Sequence, residues 1–431
     1  MEPTFTAKET EIKRLGEAKI LSPLADLSEI GFDRRILYHP YLIQDKVEAD
    51  ISFEVAKHDK YIYFDPKKVT AAIVTCGGLC PGLNNVIRAI VLALHYGYGV
   101  KRVFGIKYGL QGFIPKYGHE LIELNPRTVS DIHEQGGTML GSSRGEQPIE
   151  EVVDALERQN MNLLFVIGGD GSLNAASEIE KEIYKRGLKI AVTGVPKTID
   201  NDISNISHSF GFETAVEEAT KSIQCAHSEA MSYPNGIGLV KLMGRESGFI
   251  AATAARAQRD VNFVLVPEVD FELEGPKGFF KALEDRLLER SHAVVVVAEG
   301  AGQKFFEDME SGIDPSGNPI LKDIGRFLQR KINEYFKRRE IDVTMKYIDP
   351  SYMIRSVPAN TSDGLFCATL GQNAVHAAMA GKTSVVVSIW HGVYCHIPIA
   401  LAIRNRKTIN PRGTEWINVI ESTGQPAFIN D

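Results

Sequence analysis

The sequence predicts an α/β protein built on mainly parallel sheet, with its ligands bound where the strands end. Three observations lead there. Short apolar runs recur, each followed by a glycine loop and then a helical pattern, as at 69–75 before Cys76-Gly-Gly-Leu-Cys-Pro-Gly-Leu-Asn84 and at 162–167 before Gly168-Gly-Asp-Gly-Ser172. The glycines and charges fall on the same edge, after the strand and before the helix, which is the edge where parallel sheets bind ligands. The third is size: 431 residues, 44% hydrophobic and 24% charged, can bury a large core and suggest two or three lobes.

Bulk composition excludes several classes. A net charge of -7 argues against a nucleic-acid scaffold, while leaving room for a local basic pocket for a phosphorylated metabolite. Residues 1–20 lack the apolar core of a signal peptide and no apolar run approaches membrane-spanning length, so a cytoplasmic protein with no membrane partner is expected. The five cysteines, at 76, 80, 225, 367 and 395, form no even disulfide framework and read as reduced thiols.

Taken in order, residues 1–68 carry no glycine motif. They mix a short helical pattern with strand-like runs at 51–55 and 61–64, and read as an N-terminal extension. A strand at 69–75, the loop through Asn84 and a helix at 85–95 follow. Unpaired amides at such a loop and helix start favour phosphate oxygens, although a plain βα turn needs the same glycines for its dihedrals. The next loop, 136–145, sets Arg144 among small residues. There its guanidinium can lie against a transferring phosphoryl group, or stand simply as a surface cation. At 168–172, Asp170 among three glycines can approach a polyphosphate and hold its magnesium, with a helix expected at 173–185.

A strand candidate at 189–195 leads into Pro196-Lys-Thr-Ile-Asp-Asn-Asp202. In an extended segment Asp200 and Asp202 project to one side. One can take a proton from a hydroxyl while the other holds a divalent cation; Asp-Asn-Asp is equally good turn chemistry.

At this point the chain resembles the 6-phosphofructokinases, in the long branch that carries Pro-Lys-Thr-Ile-Asp-Asn-Asp. Gly-Gly-x-x-Pro-Gly-x-Asn at 77–84, Gly-Gly-Thr-x-Leu-Gly-Ser-x-Arg at 136–144, Gly-Gly-Asp-Gly-Ser at 168–172 and the 196–202 motif match that family's signature series in order and spacing. Met243-Gly244-Arg245, the strand that ends at Glu299, and Tyr352-Met-Ile-Arg355 match its sugar-phosphate motifs. The likeness covers roughly 69–400.

The resemblance implies two Rossmann-like lobes: a nucleotide lobe at 69–210, a sugar-phosphate lobe at 211–355, and a C-terminal segment, 356–431, that crosses between them. It implies phosphorylation of the 1-hydroxyl of fructose 6-phosphate by ATP with Mg2+, in a homo-oligomer, dimer or tetramer. Asp200 would be the base, with Arg144 and Thr198 at the reaction. Gly78, Arg144, Gly145, Gly169, Asp170, Gly171 and Ser172 would bind the nucleotide, and Asp170 and Asp202 the metal. Thr198, Ile199, Asp200, Met243, Gly244, Arg245, Glu299, Lys346, Tyr352 and Arg355 would bind the sugar phosphate. The same reaction with pyrophosphate and a noncatalytic regulatory subunit are the alternatives. Gly171 and Lys197 bear on the donor and point in opposite directions: pyrophosphate enzymes tend to carry an aspartate at the first position and a lysine at the second.

Departures from the bacterial pattern are Gly236 and Lys346 where arginines reach a neighbouring subunit's sugar phosphate, Tyr352 where a histidine stands, and Leu92 at an effector-site arginine. Elsewhere helices are expected at 278–290 and 323–339, a loop at 314–319, a strand at 383–390 and an irregular tail whose Arg404, Arg406, Lys407 and Arg412 line an interface.

Overall fold

The computed structural model describes residues 5–27, 34–40, 42–43, 46–47, 51–308, 312–313 and 319–427. Positions 314–318 of the expected loop lie outside them. The chain forms two compact units. One comprises Met1–Thr198, Ile203–Gly211 and Ser356–Arg406; the other comprises Ile199–Asp202, Phe212–Arg355 and Lys407–Asp431.

In the first unit a nine-stranded sheet runs in the order Ile122–Glu123, Arg102–Ile106, Thr70–Thr75, Leu163–Gly168, Ala191–Pro196, Val385–Trp390, Val393–Pro398, Ser52–Val55, Arg35–Leu37. The five strands from Arg102–Ile106 to Val385–Trp390 pair in parallel and the outer ones antiparallel. Thr70–Thr75, Leu163–Gly168 and Ala191–Pro196 are buried at every residue, which is why they read as unbroken apolar runs rather than as alternation. Helix Leu83–Leu92 packs on helix Thr361–Met379, where Gly371 permits close approach: a Cβ there would stand 2.7 Å from that of Ala89. The N-terminal extension is part of this sheet. Ser52–Val55 pairs with Val393–Pro398, and Phe5, Tyr38, Phe53 and Trp390 form one aromatic cluster over it.

The second unit holds four parallel strands in the order Phe263–Leu265, His292–Ala298, Gly236–Leu242, Thr344–Ile348. Its core joins Leu239, Val295 and Val297 to Phe279 and Leu283 of helix Phe279–Arg290 and to Leu328, Ile332 and Phe336 of helix Ile324–Arg338.

Three expectations are corrected. The helix expected from 173 begins at Asp170, because Gly169 takes the N-cap and its carbonyl accepts from the Ser172 and Leu173 amides; an aspartate in the first turn also suits the helix dipole. The helix expected at 85–95 runs Leu83–Leu92 and widens into a π turn at Ala93–Gly97. The tail is not irregular: strand Val393–Pro398 pairs back on Val385–Trp390, and helix Thr414–Thr423 buries Trp416 and Val419.

Candidate active site

In the first unit the loops after Thr75, Gly168 and Pro196 leave three neighbouring parallel strands at the same end. The loop after Thr75 and the 136–145 loop are hydrogen-bonded together. Thr75 Oγ1 donates to the Gly141 carbonyl at 2.8 Å, Ser142 Oγ to the Gly77 carbonyl at 2.6 Å, and the Met139 amide to Asn84 Oδ1 at 2.8 Å. Lys197 is buried, and its Nζ donates to the Gly78 carbonyl at 2.7 Å. Gly168 must be small, since a Cβ there would stand 2.3 Å from Ser172 Cβ. Gly171 differs: a Cβ there meets nothing within 4 Å. Arg144 and Gly145 are exposed beside this cluster. Asp170 is half-buried at the positive end of its helix and pairs with Arg406 Nε at 3.2 Å. Arg406 compensates the charge of this carboxylate, whose hard oxygens are the donor type that suits Mg2+. Thr198 also belongs to this unit, with its carbonyl accepting from Ser209 Oγ at 2.7 Å.

In the second unit three loops leave three neighbouring strands at the same end, after Leu242, Ala298 and Ile348. The first carries Met243, Gly244 and Arg245, the second Glu299, and the third Asp349, Tyr352 and Arg355. Gly244 has φ +130, and Gly300 lies so close that a Cβ there would stand 1.7 Å from the Arg245 carbonyl oxygen. The Gly300 amide donates to the Gly244 carbonyl at 2.9 Å, which locks Glu299 beside the Met-Gly-Arg turn. Burial pushes the Glu299 carboxyl up, and Lys241, Arg245 and Arg355 pull against that rise. Lys241 pairs with Asp349 at 2.7 Å, Arg245 donates to the Pro319 carbonyl, and Arg355 stacks on the exposed Tyr352 ring at 4.8 Å. Lys346 stands on the strand beside this set, 3.7 Å from Glu229 Oε2.

Ile199–Asp202 belongs to the second unit, although the chain enters it from Thr198 of the first. It is a turn rather than an extended segment, with Asn201 in the left-handed region at φ 53, so strand alternation does not set the directions of Asp200 and Asp202. The Asp200 carbonyl accepts from Ser247 Oγ at 3.2 Å and the Asp202 carbonyl from the Lys407 amide at 2.7 Å. Within the chain, Arg406 and Lys407 are thus partners of Asp170 and Asp202. Burial lowers the Lys407 ammonium to about 8 against the pull of Glu415 and Asp202, and its Nζ lies 5.1 Å from the centre of the Phe249 ring. Their separation in sequence from any glycine motif hid this role, and only their clustering of charge gave a signal.

Comparison with known proteins identifies the family. The phosphofructokinase family model matches residues 70–378. An ATP-dependent 6-phosphofructokinase of Borreliella burgdorferi is 52% identical, with 96% of each chain covered; one of Trypanosoma brucei brucei is 47% identical over 86% of this chain and 76% of its own. Among solved structures, a pyrophosphate-dependent phosphofructokinase from Marinobacter aquaeolei superposes with a TM-score of 0.68 at 19% identity, covering 82% of this chain and 91% of that one. Pichia pastoris phosphofructokinase in the T-state gives 0.65 at 21%, covering 95% and 43%. The solved structures carry the fold, the curated relatives carry the lineage, and together they place this chain in the phosphofructokinase family.

Proposed function

We propose that this chain is an ATP-dependent 6-phosphofructokinase: it transfers the γ-phosphoryl group of ATP to the 1-hydroxyl of fructose 6-phosphate, giving fructose 1,6-bisphosphate and ADP. The observation that carries the reading is the near full-length likeness, about half identical, to relatives named for that activity. Asp200 takes the proton of the 1-hydroxyl as its oxygen attacks phosphorus and the bond to ADP breaks. A base so placed contributes about two to four orders of magnitude in rate. Arg144 and Thr198 stabilise charge on the transferring group. Gly78, Gly145 and 169–172 cradle the nucleotide, and Met243, Gly244, Arg245, Glu299, Lys346, Tyr352 and Arg355 hold the sugar phosphate.

Mg2+ would be held by Asp170 and Asp202, whose hard carboxylate oxygens suit it, and when bound it would neutralise phosphate charge. Arg406 joins the donor side through its pairing with Asp170. Two features support ATP over pyrophosphate. Gly171 is open to space, leaving room for the nucleotide's inner phosphate, and Lys197 is engaged within the loop cluster by its bond to Gly78. We also propose a homo-oligomer in the cytoplasm; among the described residues no helix is long and apolar enough to cross a membrane.

A coupled assay with fructose 6-phosphate and magnesium in excess tests the donor. ATP supports turnover and pyrophosphate gives little; preference for pyrophosphate overturns the donor assignment and leaves the fold standing.

A further inference from the structure

Two backbone carbonyls of the turn that carries Asp200 accept hydrogen bonds from segments outside it. Ser247 Oγ grips Asp200 and the Lys407 amide grips Asp202. These two grips come from segments far apart in sequence, and a single carboxylate ties them together. Both oxygens of Glu268 accept from the Gly248 amide at 3.0 Å, and Oε1 also accepts from the Ile409 amide at 2.9 Å. Gly248 is covalently next to Ser247, and Ile409 is two residues beyond Lys407.

We propose that Glu268 is a positioning residue for the reaction: it fixes the Ile199–Asp202 turn by joining, in one carboxylate, the two segments that hold its ends. The proposal rests on Asp200 serving as the base.

Three physical features favour it. Glu268 follows directly on strand Phe263–Leu265 through Val266 and Pro267, so its backbone is anchored in the parallel sheet. Its carboxylate stands at the N-terminus of helix Phe249–Gln258, where negative charge is favoured by the dipole and by the unpaired amides. The site is also shaped around it: a Cβ at Gly248 would stand 2.2 Å from Val266 Cγ1 and 3.1 Å from Glu268 Oε2, so glycine alone leaves that amide open to the carboxylate. Burial pushes the Glu268 carboxyl up, while the Ile409 and Gly248 amides oppose the rise. Displacement of a base by about 1 Å costs on the order of a hundredfold in rate, so the value of such a clamp lies in turnover more than in substrate affinity.

The experiment measures kcat, KM for ATP and melting temperature for Glu268→Ala, Glu268→Gln and Asp200→Ser, and for Glu268→Ala combined with Asp200→Ser. Glu268→Ala lowers kcat by about a hundredfold with KM for ATP within about twofold. Glu268→Gln, which keeps one acceptor oxygen for both amides, returns kcat to within about tenfold of the parent. Once Asp200 is serine, losing its support costs little more, so the two losses are strongly non-additive. Unchanged kcat in Glu268→Ala overturns the proposal, as does an equal fold loss with and without Asp200. Retained turnover in Asp200→Ser alone overturns the base assignment instead, and with it the reason for the clamp. Should Glu268→Ala not fold, Ser247→Ala carries the test, because it removes only the hydroxyl that reaches Asp200. A fall in kcat of about tenfold is expected there, and an unchanged kcat overturns the proposal.

Discussion

A side chain placed at residue 171 would enter open space, since no atom lies within 4 Å of a Cβ built there. Gly171→Asp therefore leaves the fold intact, and the first turn of a helix tolerates an aspartate well. What it adds is a negative charge in the volume proposed for the nucleotide's inner phosphate, where like charges repel. The expected outcome is a KM for ATP raised about tenfold or more, with KM for fructose 6-phosphate and the melting temperature unchanged; steady-state kinetics with an unchanged KM for ATP would remove Gly171 from donor selection. Arg406→Ala acts on the same side. It takes a guanidinium from Asp170 at 3.2 Å, and is expected to raise KM for ATP several-fold while leaving KM for the sugar phosphate alone, both read in the same assay. Residues of these two kinds differ in how far a sequence reveals them. Asp170 and Asp200 were legible because they stand inside glycine-rich or proline-led loops at strand ends. The contacts of Arg406, Ser247 and Glu268 were not, because only the folded chain creates them.

The elements repeat that distinction. Strands Thr70–Thr75, Leu163–Gly168 and Ala191–Pro196 were legible because burial on both faces turns each into an apolar run, whereas Arg102–Ile106, with exposed and half-buried positions, was not. The pairing of Ser52–Val55 with Val393–Pro398 was not, since nothing local names a partner across nearly the whole chain. At that junction lies a buried polar cluster. Lys382, fully buried, pairs with Glu54 at 2.7 Å and Asp59 at 2.9 Å; His396, also fully buried, faces Glu54 at 3.4 Å; His376 Nδ1 meets Tyr98 Oη at 2.8 Å with the His58 ring 5.6 Å away. Burial, then His58, pushes His376 down to about 4, against the pull of Asp59. Between about 4 and the ordinary 6.5 the unfolded chain takes up a proton that the folded chain refuses. The contribution is therefore whole above pH 6.5 and is lost as pH falls towards 4, by about 3 kcal/mol for that span. Burial lowers His396 as well, and adds in the same direction. Melting temperature followed from pH 7 to 4 should fall steeply in the parent and less steeply in His376→Gln; parallel curves would place the acid sensitivity elsewhere.

At the scale of the whole molecule, the motifs alternate between two units: glycine loops and Lys197 in one, the Asp200 turn and the Met-Gly-Arg loop in the other, with the C-terminal segment contributing Arg406 to the first and Lys407 to the second. The proposed oligomer is tested at Lys346. It lies on strand Thr344–Ile348, at the end of the four-stranded sheet, with its ammonium 3.7 Å from Glu229 Oε2 and 4.9 Å from the centre of the Tyr233 ring. At 40% side-chain exposure and that distance, the Glu229 pair is worth at most about 1 kcal/mol, so Lys346→Ala has little to disturb within its own chain. If Lys346 instead reaches the sugar phosphate of a neighbouring subunit, as a looser point-charge contact than an arginine, its loss appears as weaker substrate binding. The half-saturating concentration of fructose 6-phosphate should rise roughly tenfold with kcat and melting temperature nearly constant. Activity per protomer should also fall on dilution, as subunits separate and each site loses its borrowed cation. A protein that stays fully active as a monomer in sedimentation and activity measurements across the same dilution series would show that each site is complete within one chain.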